Sequence, residues 1–194
     1  MRKLLFSRER EVLQPLRQLV EEQTHKTLIV WALECATPYL EYFEQQTQDN
    51  RPKQALETAA RWAHGQAKMP EAKRAIHAAH RAAAAVGDNT KTEAAVMAAA
   101  RAVGHAAATV HVETHALGLA FYGLTSIVYQ NTADDSADAV QQEIARLYSR
   151  LKHWQQNISN VPGPWAAFLQ EDVLPNKEAL LHLREDAKKS AATK

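Results

Sequence analysis

The chain of 194 residues is poor in residue types on which several other protein classes depend. Its 6 glycines and 7 prolines are too few for the many turns of an all-β protein. The single cysteine, Cys35, excludes an internal disulfide and fits a reducing compartment. Neither acidic nor basic residues predominate, because the formal net charge is only +1. No global field therefore favours nucleic acid or an acidic membrane as a partner.

Alanine is what the chain has in excess, with 36 of 194 residues. Alanine is the best helix former and a poor strand former. We therefore expect an all-α fold: a single-domain helical bundle of about six to eight helices. Periodicity and end signals place the helices at residues 8–23, 24–46, 52–65, 70–87, 90–130, 137–158 and 176–184. Ser7 should cap the first helix, Pro15 should kink or split it, and Pro38 should bend the second.

Proline and glycine give the clearest helix boundaries. Two helices begin at Pro52 and Pro70, where the missing N–H costs nothing, and they end at Gly65 and Gly87. A capping box at Thr90 opens the next helix.

The stretch 102–133 is unusual because its only formal charge is Glu113. It also carries three histidines, His105, His111 and His115. Its length would allow a membrane span, but the histidines and the carboxylate argue against one. We expect residues 105–130 to form the central, buried, Ala/His-rich helix of the bundle, and we expect a cytoplasmic protein.

His111 and His115 are the candidate metal ligands. They stand four residues apart, so we expect their side chains on one helical face, a spacing that suits two ligands of one divalent metal. Further ligands would come from His77 or His80, or else from Glu34 or Cys35. The alternative is that these histidines are hydrogen-bonded polar groups in an alanine-lined core.

Glu113 is expensive to bury unless it is paired. Its expected partner is one of four arginines, Arg51, Arg61, Arg81 or Arg101. The competing interpretation is a catalytic acid or base. The candidate polar core is therefore Arg51, His80, Arg101, His105 and Glu113.

The C-terminal part reads differently from the bundle. The sequence VPGPW is a rigid non-helical segment, and the aromatic residues after it should pin it to the body. We expect a bundle over residues 1–160, a packed C-terminal segment over 161–185 and a frayed tail over 186–194.

Several motifs together resemble a known family. They are Asp49-Asn-Arg51-Pro52-Lys-Gln-Ala55-Leu-Glu, Trp62-Ala-x-Gly65, the alanine-rich stretch with His80, and Ala100-Arg101-Ala-x-Gly104-His105 followed by His111-x-x-x-His115-Ala116. Over about residues 30–130 the chain resembles the five-like immunity proteins of bacterial polymorphic toxin systems. The resemblance implies a small helical protein that binds and blocks a cognate toxin, and it brings no catalytic residues.

Three functions stay open on this sequence. The first is the non-enzymatic toxin-binding protein that the resemblance implies. The second is a metal- or small-ligand-binding enzyme or sensor that uses His111 and His115 inside the bundle. The third, a nucleic-acid-binding module, would need the basic residues of 51–101 on one face. The net charge of +1 does not favour a basic nuclease as the toxin, because proteins that block such nucleases are often strongly acidic.

Overall fold

The computed structural model describes residues 4–171 and 174–192, and the described residues form nine α-helices and no strand. The helices are α1 (Gln14–Glu21), α2 (His25–Cys35), α3 (Thr37–Gln46), α4 (Arg51–Ala63), α5 (Met69–Val86), α6 (Lys91–Ala108), α7 (Ala116–Gln130), α8 (Ala133–Asn157) and α9 (Lys177–Ala192). Short 3₁₀ turns lie at Glu11–Leu13, Glu113–His115, Ile158–Asn160 and Ala167–Leu169. The all-α bundle expected from the sequence is confirmed.

Proline, glycine and threonine set most of the helix boundaries. Four helices, α1, α3, α4 and α5, carry a proline in their first two positions. Gly65 and Gly87 adopt positive φ angles of 73° and 84°, which favour glycine, and they end α4 and α5. The side chain of Thr90 accepts a hydrogen bond from the Glu93 N–H, which completes the predicted capping box of α6.

Apart from the central helix, four predicted helices have wrong boundaries. The predicted helix 8–23 begins only at Gln14, because Pro15 occupies its first turn, and Ser7 bonds to Glu9 instead of capping it. The predicted helix 24–46 is two helices that meet at Ala36, since Pro38 belongs to the first turn of the second. The last two predicted helices are longer than expected: α8 begins at Ala133, capped by Thr132, and α9 runs to Ala192.

The central helix predicted over 105–130 is not continuous. α6 passes through Gly104 but ends at Ala108, and α7 begins only at Ala116. Thr109 explains the break: its carbonyl oxygen lies 2.6 Å from Nε2 of His25 on α2, which takes that oxygen away from the helical ladder. The β-branched run that follows is a poor helix former.

α6 and α7 form the centre of the bundle. α6 packs against α3, α4, α5 and α7, and α7 lies between α6 and α8. Twelve residues of α6 are buried, nine of them alanines, so neighbouring helices approach closely. Larger side chains fill the space around them, among them Trp31 of α2, whose Nε1 donates to the Leu147 carbonyl at 2.9 Å.

Backbone and amide hydrogen bonds attach the C-terminal segment to the bundle. The Ala166 N–H donates to the Ala63 carbonyl at 2.8 Å, and the buried Leu169 packs in the cluster that α4 and α5 form. Asn176 Nδ2 donates to the carbonyls of Val20 and Gln23 at the end of α1. The division into residues 1–160, 161–185 and 186–194 stays a prediction.

None of the helices in the described part of the chain combines the length and the apolar character that crossing a membrane requires.

Candidate functional site

Three of the predicted residues, His80 of α5, His105 of α6 and His115 before α7, form a cluster of rings. His105 lies in the middle, with ring centroids 5.3 Å from His80 and 5.4 Å from His115. Its ring also stacks on Tyr122 at 4.9 Å with an interplanar angle of 18°. The fold thus brings together imidazoles from three separate segments.

Two glycines let these rings approach the helix backbone. A Cβ atom on Gly104 would lie 2.7 Å from Cε1 of His80, and one on Gly118 would lie 2.4 Å from Nδ1 of His105. Any larger residue would collide with a ring. Gly104 is therefore a close-packing site inside α6.

The cluster is neutral at physiological pH. Burial and, to a smaller extent, nearby Arg101 together lower the pKa of His80 to about 4. Burial likewise lowers the pKa of His105 to about 3, helped by His80 and His115. The pKa of His115 is also lowered, mainly by burial.

The contact between His105 and His115 also requires a neutral ring. Their Nδ1 atoms lie 3.3 Å apart, so one must donate a proton and the other must accept it. Two imidazolium rings would each present an N–H to the other, and the contact would be lost.

His111 occupies a different environment from the one expected. It lies in the turn after α6, with its ring centroid 6.2 Å from that of Trp62, so His111 and His115 do not share a face of one continuous helix. They do share a cavity of about 310 Å³. Its lining residues are Lys73, Ile76, His77, His80, Ala108, His111 and His115.

A second cavity of about 330 Å³ lies on the other side of the histidine cluster. His105 and His115 line it together with Arg8 and Tyr122. His115 lines both cavities, so the two cavities adjoin at this residue.

A metal centre is not assembled by the described residues: no group of three or more His, Cys, Asp or Glu side chains among them could hold an ion. Glu34, one of the further ligands considered, instead pairs with Arg150 at 2.8 Å. Cys35 is buried, and burial raises the pKa of its thiol to about 12. Metal binding by His111 and His115 stays a prediction.

Glu113 is paired, as expected, but not with an arginine. Its carboxylate is buried, with Oε2 3.1 Å from Nζ of Lys177 and Oε1 3.8 Å from Nδ1 of His25. The prediction of an ion pair is confirmed and the predicted partner is wrong. The pairing joins α9 and α2 to the turn between α6 and α7.

The arginines proposed for Glu113 lie elsewhere. Arg51 binds Asp49 at the start of α4, with Nε 2.9 Å from Oδ1, and Arg61 binds Glu71 at 3.1 Å. Arg81 is exposed on α5. Arg101 lies at the histidine cluster, with its guanidinium carbon 5.9 Å from the Tyr122 ring centre. Of the candidate polar core, Arg51 alone therefore lies at a helix start instead of near the histidines.

Sequence reasoning missed Lys73, Lys177, His25 and Tyr122 as part of this region. Lys73, Ile76, His77 and His80 recur at the spacing of one helical face, which was a usable signal. No local signal connects Lys177 or His25 with Glu113, because they come from distant parts of the chain.

Comparison with known proteins identifies a family. The model of the family described as "Imm-5 like putative immunity protein" matches residues 18–153, more than the 30–130 over which the motifs predicted the resemblance. No curated protein and no solved structure matches the chain. Since the match covers most of the chain and includes α2 to α7, the chain belongs to this immunity protein family.

Proposed function

We propose that this protein neutralises a cognate bacterial toxin by binding it directly, without catalysing a reaction. The observation that carries the proposal is the family match over residues 18–153. The contacts of Glu113 support the non-catalytic part of the proposal. This carboxylate pairs with Lys177 and His25, which gives it a structural role. We place this action in the cytoplasm, in keeping with a single, buried, unbridged cysteine.

The proposal is tested in cells. A toxin gene encoded beside this one is expressed from an inducible promoter, with and without this protein. We expect growth to be restored only when this protein is present, and an unrelated helical protein expressed to the same level gives the control. Cell death at equal rates in both cultures would contradict the proposal.

The cavity that reaches His111 and His115 favours a second candidate function. A helical enzyme or sensor needs a pocket at its polar residues, and a volume of about 310 Å³ lies in the range of small-ligand sites. The amount of this protein that is needed for protection, relative to the toxin, distinguishes the two functions. A binding protein must be present in at least equal amount to its toxin, whereas an enzyme protects at far lower amounts.

A further inference from the structure

The cavity between α5 and the turn after α6 is built from one stripe of α5. Lys73, Ile76, His77 and His80 are spaced by three, one and three residues, so they face the same way. Ala108, His111 and His115 form the opposite wall. The small Ala108 leaves room where a larger residue would fill the space.

Most of the residues that line the cavity can donate hydrogen bonds. Five of its seven residues carry nitrogen donors: Lys73 and four histidines, His77, His80, His111 and His115. Among the described residues, no carboxylate lines the cavity. A neutral imidazole donates one N–H and a lysine donates three, so the walls offer donors to an acceptor that carries negative charge.

The surrounding charges act in the same direction. Lys73 itself lines the cavity, and Arg101 lies at the neighbouring histidine cluster, with its guanidinium carbon 5.9 Å from the Tyr122 ring centre. These two positive charges favour an anion in the cavity over a metal cation.

One ring nitrogen of His80 is left without a hydrogen bond to the described protein. Its buried Nδ1 finds no hydrogen-bond partner among the described residues. The protein therefore does not fix which ring nitrogen of His80 carries the proton, and the ring can adapt to a bound molecule.

We infer that this cavity binds a small organic oxyanion. Its phosphate or carboxylate group is held by Lys73 and the imidazole N–H groups, and its carbon part contacts Ile76 and Ala108. The inference deepens the second candidate function, and it is independent of toxin neutralisation because it concerns binding without a toxin present.

Isothermal titration calorimetry on the full chain tests the inference with three probes: inorganic phosphate, phenyl phosphate and benzoate. We expect saturable 1:1 binding of at least one organic probe. If phenyl phosphate binds, it should bind more tightly than inorganic phosphate, because its ring buries apolar surface against Ile76. Binding of benzoate alone would assign the site to carboxylates, and binding of phenyl phosphate alone would assign it to phosphate esters.

Substitutions of lining residues test whether the probes bind in this cavity. Lys73→Gln should weaken it about tenfold, the typical effect of losing one charged hydrogen bond. Arg74→Gln is the matched control, because Arg74 is the next residue on α5, is exposed and does not line the cavity. His77→Gln, at an exposed lining position, provides a second test that should leave the fold intact.

Histidine ring signals in NMR spectra give an independent readout. The signals of His77, His80, His111 and His115 should shift on titration, while those of His64 and His153, which lie beside Trp165 and Trp154, should not. Equal weakening by Arg74→Gln would indicate diffuse surface charge and overturn the inference. Absence of saturable binding, or tight Zn²⁺ binding with no anion binding, would also overturn it.

Discussion

At the scale of single residues, two of the clustered imidazoles each pack against a glycine of a neighbouring helix. His80 of α5 packs on Gly104 of α6, and His105 of α6 packs on Gly118 of α7. Each glycine makes its helix less stable by about 1 kcal/mol than alanine would at the same position. The close approach of the rings offsets this cost, because it buries them between the three helices.

Gly118→Ala should destabilise the protein by up to about 2 kcal/mol. Overpacking a helix interface costs about 1–3 kcal/mol, and the gain of about 1 kcal/mol in helix propensity offsets only part of the upper figure. The measurement is the free energy of unfolding from a denaturant titration at neutral pH.

The double variant Gly118→Ala/His105→Ala is the control for this prediction. Removing the ring gives the new methyl group space, so Gly118→Ala should cost less in the His105→Ala background than in the natural chain. Equal costs in both backgrounds would show that the ring contact is not what Gly118 serves.

The sequence identified several residues of the site but not their geometry. His80, His105 and His115 were singled out, and the fold does bring them together. The pairing of His111 with His115 on one helical face failed, because it assumed a helix that ends at Ala108. Lys177 was missed because only the tertiary fold places α9 beside Glu113.

At the scale of helices, α9 is attached to the bundle mainly through charge. Glu178 is fully buried and accepts two hydrogen bonds from Arg8, at 2.6 Å and 3.0 Å. Arg17 of α1 reaches Glu185 at 3.0 Å, while Leu180 and Leu183 of α9 remain exposed. α9 lies outside the family match over residues 18–153.

Glu178→Gln should loosen α9 without unfolding the bundle. Removing one partner of a buried ion pair costs about 3–5 kcal/mol, because it leaves the other charge unpaired. Arg8 is partly exposed, so we expect the lower end of that range. This loss corresponds to hydrogen exchange of the α9 amides that is about a hundredfold faster.

Hydrogen exchange followed by mass spectrometry checks this, with Glu185→Gln as the matched control. Glu185 lies on the same helix but is more exposed, with 32% of its side chain accessible, so its loss should have a much smaller effect. Exchange that rises equally in α6 and α9 would mean that Glu178 stabilises the whole fold.

Helix boundaries were predictable where the backbone itself imposes them. Pro52, Gly65, Pro70 and Gly87 predicted α4 and α5 to within two residues, since proline and glycine act through local sterics. The break after Ala108 depends on a contact from His25, which a local pattern does not contain. The β-branched residues after Ala108 were the one local signal of that break.

At the scale of the whole molecule, the neutral histidines make stability depend on pH. The folded-state pKa values of about 4 for His80 and about 3 for His105 lie below the ordinary value of 6.5. Above pH 6.5 both rings are neutral in the folded and unfolded chain, and their stabilising contribution is fully present. As the pH falls below 6.5 the unfolded chain takes up protons that the folded chain does not, so stability falls until about pH 3.

His105→Phe should flatten this dependence between pH 6 and pH 4. The phenyl ring keeps the stacking on Tyr122 but takes up no proton on unfolding. The slope of the unfolding free energy against pH counts the protons taken up on unfolding, and across this range it should be smaller in the variant by the equivalent of about one proton. Near pH 8 the two slopes should coincide, and an unchanged slope at low pH would contradict the neutral state assigned to His105.

The central claim, that this member of the immunity family acts by binding, is tested most directly with purified components. The toxin encoded beside this gene is held at a fixed concentration while this protein is added, and residual toxin activity is measured together with complex formation by size-exclusion chromatography. The account predicts a complex of defined stoichiometry and loss of toxin activity that is complete only when enough protein is present to bind all the toxin. Loss of activity at far lower amounts, with no complex, would contradict it and indicate an enzyme.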